Sequence, residues 1–197
     1  MNLAFFASYN GSSAHAITDA CLSGDIIASP VLLITNNAKA GALTWSENKG
    51  LKSFTVNAKT CDNSQDIDSI IAQKLKDHKI DWVCCSGYMC LIGPKTIQAV
   101  QGKILNIHPA LLPQYGGKGM YGDHVHQAIK QAGETETGAT IHLVNEEYDE
   151  GKILTQKIIA IDPQDSAKDI ASKVRAIEPQ FYVETIRKIL KGEITIS

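Results

Sequence analysis

The chain has 197 residues, a length that fits one globular domain, residues 1–197, with a sizeable core. Apolar residues make up 44% and charged residues 20%, which excludes a disordered or fibrous chain. The formal net charge of −2 gives no basic footprint for sustained binding to nucleic acid or to an anionic membrane.

The opening run Met1–Phe6 is apolar, carries no basic leader and meets turn residues at once. It reads as a first strand, Leu3–Ala7, and not as a signal peptide. A helix follows over Ala14–Leu22, a second strand over Pro30–Thr35, a helical stretch near Ala38–Asn48 and a short strand over Ser53–Val56. Ile67, Ile70, Ile71 and Leu75 repeat with a helical period, predicting a helix over Ile67–Lys76. Trp82–Cys85 and Ile104–Ile107 are short apolar strands flanking a helix that Pro94 initiates. Thr140–Val144 and Ile153–Ile161 form an antiparallel pair joined by an acidic turn, and Ser166–Asp169 is a capping box opening a long final helix. The alternation predicts an α/β fold: one open, Rossmann-like, mostly parallel sheet flanked by helices. No apolar run is long enough to span a bilayer. The five cysteines (Cys21, Cys61, Cys84, Cys85, Cys90) are odd in number and lack scaffold spacing, so a reducing cytoplasm is expected.

In such sheets ligands gather outside the carboxyl ends of the strands. Ser8–Ser13, Gly87–Ile92 and Asn106–Pro109 all fall there and should share one rim. Alternate side chains of a strand share a face, so Asn106 and His108 can enter one cleft. An amide donor beside an imidazole suits acyl transfer, the amide for an oxyanion and the imidazole for protons. The same two residues also fit a plain polar strand end. Glu146-Glu147-Tyr148-Asp149-Glu150 holds four carboxylates, of which a buried one could charge-pair a histidine; a solvated acidic turn is the commoner fate. Gly11, Ser12 and Ser13 open the first helix, where backbone N–H groups suit an anion, although a simple helix cap competes. Arg175 and Glu178 sit three apart on the last helix, by default an ion pair. Gly116-Gly117-Lys118-Gly119 reads as a flexible loop. His124 and His126 lack metal-ligand spacing, Cys84 and Cys85 point to opposite faces of a strand, and no metal site is expected. No G-x-S-x-G elbow supports a hydrolase.

Asn106-Ile107-His108-Pro109-Ala110-Leu111-Leu112-Pro113, with the later Asp149-Glu150-Gly151, resembles the folate-dependent formyltransferase family. The resemblance spans Ser8 to Glu178 and is nearest to the branch that acts on phosphoribosylglycinamide in purine biosynthesis. It implies transfer of a formyl group from 10-formyltetrahydrofolate to a substrate amine, without a metal. It carries the catalytic roles onto Asn106, His108 and Asp149. The folate cosubstrate is implied along Met89, Cys90, Leu91 and Ile92, with Asn106, Asn145, Glu146, Glu147, Tyr148 and Asp149 closing around the pterin. The ribonucleotide is implied at Gly11, Ser12 and Ser13 and at Arg175, Ala176, Ile177 and Glu178, with Arg175 on the phosphate and Glu178 on the amine. Departures from the family pattern fall at Tyr9 and Ser13, at Cys90 where arginine is frequent, around Ser64 where no arginine stands, and at Pro179 where histidine is usual. A formyltransferase for an amino sugar nucleotide, or a silent folate- or nucleotide-binding module, are the other readings; oligomeric state is not legible.

Overall fold

The computed structural model describes residues 1–61 and 67–196, so Ser64 lies outside the described residues. The elements run β1 (Asn2–Phe6), α1 (Ser12–Leu22), β2 (Ser29–Thr35), α2 (Gly41–Asn48), β3 (Lys52–Thr55), α3 (Ile67–Asp77), β4 (Trp82–Cys85), α4 (Pro94–Ala99), β5 (Ile104–His108), α5 (Asp123–Ala132), β6 (Glu136–Leu143), β7 (Ile153–Ala160) and α6 (Ala167–Leu190). All twelve elements expected from the sequence are present, most within two residues of their predicted ends.

Two features differ. Helix α5 occupies a stretch that carries only Val125 and Ile129 as buried aliphatic residues, with His126 as the third buried position, so its apolar stripe is thin. Its end signal is nonetheless regular: Gly133 follows Ala132 in the left-handed conformation, φ 69°. Strand β6 begins at Glu136, four residues ahead of Thr140, because pairing with β7 extends from Glu136↔Ala160 to His142↔Ile153. Glu136, Gly138 and Ala139 have weak strand preference, and the ladder overrides it. Gly138 is required there, since a Cβ would lie 1.9 Å from Lys157 O.

The seven strands order as β3-β2-β1-β4-β5-β6-β7 in one sheet. The first five named are parallel; β6 runs antiparallel to β5, and β7 antiparallel to β6. β1, β2 and β3 progress toward one edge, whereas β4 returns to the other side of β1. The winding therefore reverses between β1 and β4.

Each face of the sheet carries a core. Leu3, Phe5, Leu33, Cys84, Leu105 and Ile107 pack with Ile17 of α1 and Val174, Phe181 and Tyr182 of α6. Ala4, Phe6, Leu32, Ile34, Val83, Cys85 and Ile104 pack with Ile71 and Leu75 of α3. Cys84 and Cys85 thus point to opposite faces, as strand alternation requires. A smaller cluster seats Val125 and Ile129 of α5 on Ala110, Ile161 and Ile170.

The capping box of α6 is formed in both directions: Asp169 N–H donates to Ser166 Oγ at 3.2 Å, and Ser166 N–H to Asp169 Oδ2 at 2.9 Å. Helix α6 continues through Pro179, which lacks the N–H that would reach the Arg175 carbonyl. Tyr182 O–H donates to Leu105 O at 2.8 Å, fastening this helix to β5 beneath the site.

Candidate active site

β5 carries Asn106 and His108 on the same face as Ile104, and β6 places His142 opposite Asn106 in register. The acidic turn after β6 then delivers Asp149 to the same point. Asp149 adopts φ 59°, a left-handed conformation that aspartate tolerates better than most residues. Of the acidic run it alone turns inward; Glu146, Glu147, Tyr148 and Glu150 are exposed, as is Asn145, whose Oδ1 accepts Glu147 N–H at 3.1 Å. The turn needs Gly151, because a Cβ there would lie 1.7 Å from Leu143 O.

Four side chains meet. His108 Nδ1 lies 3.4 Å from Asp149 Oδ2, and His142 Nε2 lies 3.6 Å from Asp149 Oδ1. Asn106 Nδ2 is 3.1 Å from His142 Nε2, and Gly117 N–H donates to Asp149 Oδ2 at 3.1 Å. His142 Nδ1 faces Leu143 O at 2.9 Å and must donate to it, which leaves Nε2 to accept from the Asn106 amide. His108 Nε2 likewise faces a carbonyl, Tyr115 O at 2.7 Å, and donates. With Nε2 protonated, only the doubly protonated ring can also donate from Nδ1 toward Asp149. Burial pushes the Asp149 carboxyl up, but the facing His108, the Gly117 N–H and, when its ring is doubly protonated, His142 hold it well below the usual carboxylate range.

The segment after His108 is pinned to the sheet from below. Thr140 Oγ1 donates to Ala110 O at 2.6 Å and accepts from Leu112 N–H at 3.0 Å. Gln156 Nε2 reaches Leu112 O at 2.8 Å and Thr140 Oγ1 at 2.9 Å. The Leu112–Pro113 bond is cis. Gly116 keeps the next turn against this frame, where a Cβ would meet Leu112 Cδ2 at 2.4 Å.

His142 and Thr140 were not legible as site residues. Their only signal is a period of two on β6 that matches Asn106 and His108 across the ladder, and that pairing is not visible before the strands are aligned.

The other expected residues occupy the same rim. Met89, Cys90 and Leu91 are exposed, while Ile92 is buried in the second core. A cavity of about 410 Å³ opens beside them, lined by Tyr88, Cys90, Leu91, Gly93, Asn36 and Asn57 among others. Gly11 takes φ 66° at the head of α1. Ser12 is exposed, whereas Ser13 is buried and gives its N–H to Ser86 Oγ at 3.2 Å. On α6, Ala176 is exposed and Ile177 half-buried.

The default ion pair between Arg175 and Glu178 is replaced by a different one. Arg175 Nη2 reaches Asp123 Oδ1 of α5 at 3.0 Å, both side chains being well exposed. Glu178 turns inward instead, and burial pushes its carboxyl up to about 7 against the opposing pull of Arg175 and His108. Helix α5, absent from the sequence reading, supplies the competing carboxylate. Its His126 is buried, with Nδ1 lacking a protein partner, and burial first and then Arg175 lower it to about 4. Among the described residues no group of three or more His, Cys, Asp or Glu is arranged to hold a metal ion.

The sequence pattern of the formyl transferase family matches residues 1–186, nearly the whole of this fold and all of this site. The chain belongs to the formyl transferase family. It is 36% identical over 193 residues to the chloroplastic phosphoribosylglycinamide formyltransferase of Arabidopsis thaliana, covering 98% of this chain and 66% of that protein. The chain thus spans a little under two thirds of the length of this relative, and 62% of the corresponding Vigna unguiculata protein. It is 35% identical to the phosphoribosylglycinamide formyltransferase of Haemophilus influenzae, covering 98% of this chain and 89% of that one. The crystal structure of glycinamide ribonucleotide transformylase 1 from Symbiobacterium toebii superposes with a TM-score of 0.90 at 27% identity, covering 100% of this chain and 91% of that chain. That superposition extends over the whole mixed sheet, including the strand end that carries Asn106 and His108. No helix among the described residues is long and apolar enough to cross a membrane.

Proposed function

We propose that this chain, as one domain over residues 1–197, transfers the formyl group of 10-formyltetrahydrofolate to the amine of phosphoribosylglycinamide. The observation that carries the reading is the Asn106, His108, His142 and Asp149 cluster on a family fold, closed around a carboxylate held ionised. The substrate amine attacks the formyl carbon, a tetrahedral adduct forms, and its bond to N10 of the folate breaks. One proton leaves the amine and one reaches N10, so no protein nucleophile is needed.

Asn106 has a second N–H beyond the one given to His142, and it serves the developing oxyanion. The His108 Nε2–H serves the same oxygen once that oxygen displaces Tyr115 O; an oxyanion is a stronger acceptor than a neutral carbonyl. Asp149 stabilises the charged imidazole and moves the amine's proton. Folate lies along Met89–Ile92 with the Asn145–Asp149 turn over the pterin. The phosphate lies at Gly11, Ser12 and Arg175, with the buried Ser13 supporting that turn from within, and the amine at Glu178 beside Ala176 and Ile177. Five thiols without a disulfide among the described residues suit a reducing cytoplasm.

Glu178 separates this reading from the amino-sugar alternative. Its raised carboxyl is neutral in acid and ionises near pH 7, where it becomes a counter-ion for a substrate ammonium. Binding of the ribonucleotide should therefore tighten as pH rises from about 6 to 8, and Glu178→Gln should flatten that rise. Arg175→Ala should raise the ribonucleotide KM about 10- to 150-fold, the range of one charge-assisted contact, and leave the folate KM within twofold. As a mere surface ion pair with Asp123, Arg175 would affect neither KM. An unchanged ribonucleotide KM in both variants would remove this clamp and favour a different amine substrate.

A further inference from the structure

The reversal of winding between β1 and β4 is where open α/β sheets bind ligands, and two buried serines cross there. Ser8, 3% exposed just beyond β1, accepts Met89 N–H at 2.9 Å on Oγ and donates its hydroxyl to Asn36 Oδ1 at 2.6 Å. Ser86, 5% exposed just beyond β4, accepts the N–H groups of Ser13 and Ala14 on Oγ at 3.2 and 3.3 Å. Helix α1 depends on this, because its N-cap residue is Gly11 and makes no side-chain cap. Each serine therefore belongs to one loop and fastens the other. The backbone continues the tie, with Ser8 N–H on Gly87 O at 3.0 Å and Ser86 N–H on Phe6 O at 2.8 Å.

The geometry points to Ser8 and Ser86 as a crossed pair of positioning residues that hold the two substrate loops at a fixed separation. Ser8, on the phosphate-side loop, positions the folate segment; Ser86, on the folate-side strand, positions the first turn of α1 for the phosphate. This rests on the formyl-transfer reading above. A reaction between two separately bound molecules requires the attacking nitrogen and the formyl carbon to approach within about 3–3.5 Å, so the spacing of their loops bears directly on the rate. Met89, Ser13 and Ala14 N–H groups that lose their acceptor would also turn elsewhere for one, which loosens the loop in question.

The test varies each substrate separately on the full chain and measures the affinity for each ligand alone by calorimetry. Ser8→Ala should weaken 10-formyltetrahydrofolate about 5- to 150-fold and leave the ribonucleotide within twofold; Ser86→Ala should do the reverse. Ser8→Thr and Ser86→Thr, which keep the hydroxyl, should restore most of each loss. Alanine variants that weaken only the ligand of their own loop, both ligands equally, or neither, overturn the crossed assignment. Should the alanine variants fail to fold, amide NMR on the wild type decides: ribonucleotide should shift Met89, and a folate analogue should shift Ser13 and Ala14. Absence of those cross-shifts overturns the pair. A wild type that binds neither ligand overturns the functional reading and this pair with it, whereas binding of both without the crossed pattern overturns the pair alone.

Discussion

Replacing His108 with alanine should lower kcat about 10²- to 10⁴-fold, the usual cost of losing a proton-managing group. His108 is 3% exposed, so solvent does not substitute for its ring readily. Its two nitrogens divide the work. Nε2–H is given to Tyr115 O and, in the proposed reaction, turns to the oxyanion, while Nδ1 faces Asp149. Alanine removes both contacts at once and leaves Tyr115 O and one edge of Asp149 without this partner, so some loss of stability accompanies the loss of rate. His108→Gln separates the two effects, because an amide can still donate to Tyr115 O but cannot exchange a proton near neutral pH. A cleanly folded His108→Gln protein with near-normal kcat would exclude His108 from the chemistry. Single-turnover measurements are preferred, since they report the transfer step and not product release.

Asp149→Asn is the second large effect, expected within the same 10²- to 10⁴-fold range. Asparagine fits the site: it is isosteric and tolerates φ 59° as aspartate does. It keeps an acceptor for Gly117 N–H but loses the charge that faces both His108 and His142. With the charge gone, nothing facing His108 offsets a positive imidazole, so the loss should fall on kcat and not on either KM. A variant that keeps kcat and loses only substrate affinity would show that Asp149 acts in binding and not in the transfer step. Stability provides an independent readout. A carboxyl held below its unfolded value contributes stability above the ordinary carboxylate range and loses it as pH falls, so the wild type should lose more stability below about pH 4 than Asp149→Asn. Glu178 acts in the opposite sense: its raised carboxyl contributes most in acid and loses that contribution as pH rises toward about 7.

The strand ends that carry chemistry were legible because short apolar runs and turn residues mark them plainly. Asn106 and His108 follow from alternation along β5, and Cys84 and Cys85 separate by the same rule. Asp149 emerged from four carboxylates only through the resemblance; its inward turn depends on Gly151 approaching Leu143 O and on a left-handed φ, neither of which the acidic composition encodes. His142 and Thr140 were missed because they are read from register, and β6 entered the sheet four residues earlier than its apolar content indicated. The Arg175 and Glu178 pairing failed for a related reason. Spacing of three on a helix permits an ion pair, but the chain in between folds as α5 and offers Asp123 to Arg175, leaving Glu178 to burial. Local pattern fixes which residues can meet along an element. Which ones do meet is decided by elements arriving from elsewhere.

The most direct measurement is a product assay with the purified chain, 10-formyltetrahydrofolate and phosphoribosylglycinamide, followed by mass spectrometry of the nucleotide. Formyl transfer requires one formylated ribonucleotide for each tetrahydrofolate released, with no added metal and with the yield abolished to background in a short assay by His108→Gln. Tetrahydrofolate release without formylated ribonucleotide, or formylation of an amino sugar nucleotide in preference to phosphoribosylglycinamide, would contradict the proposed reaction.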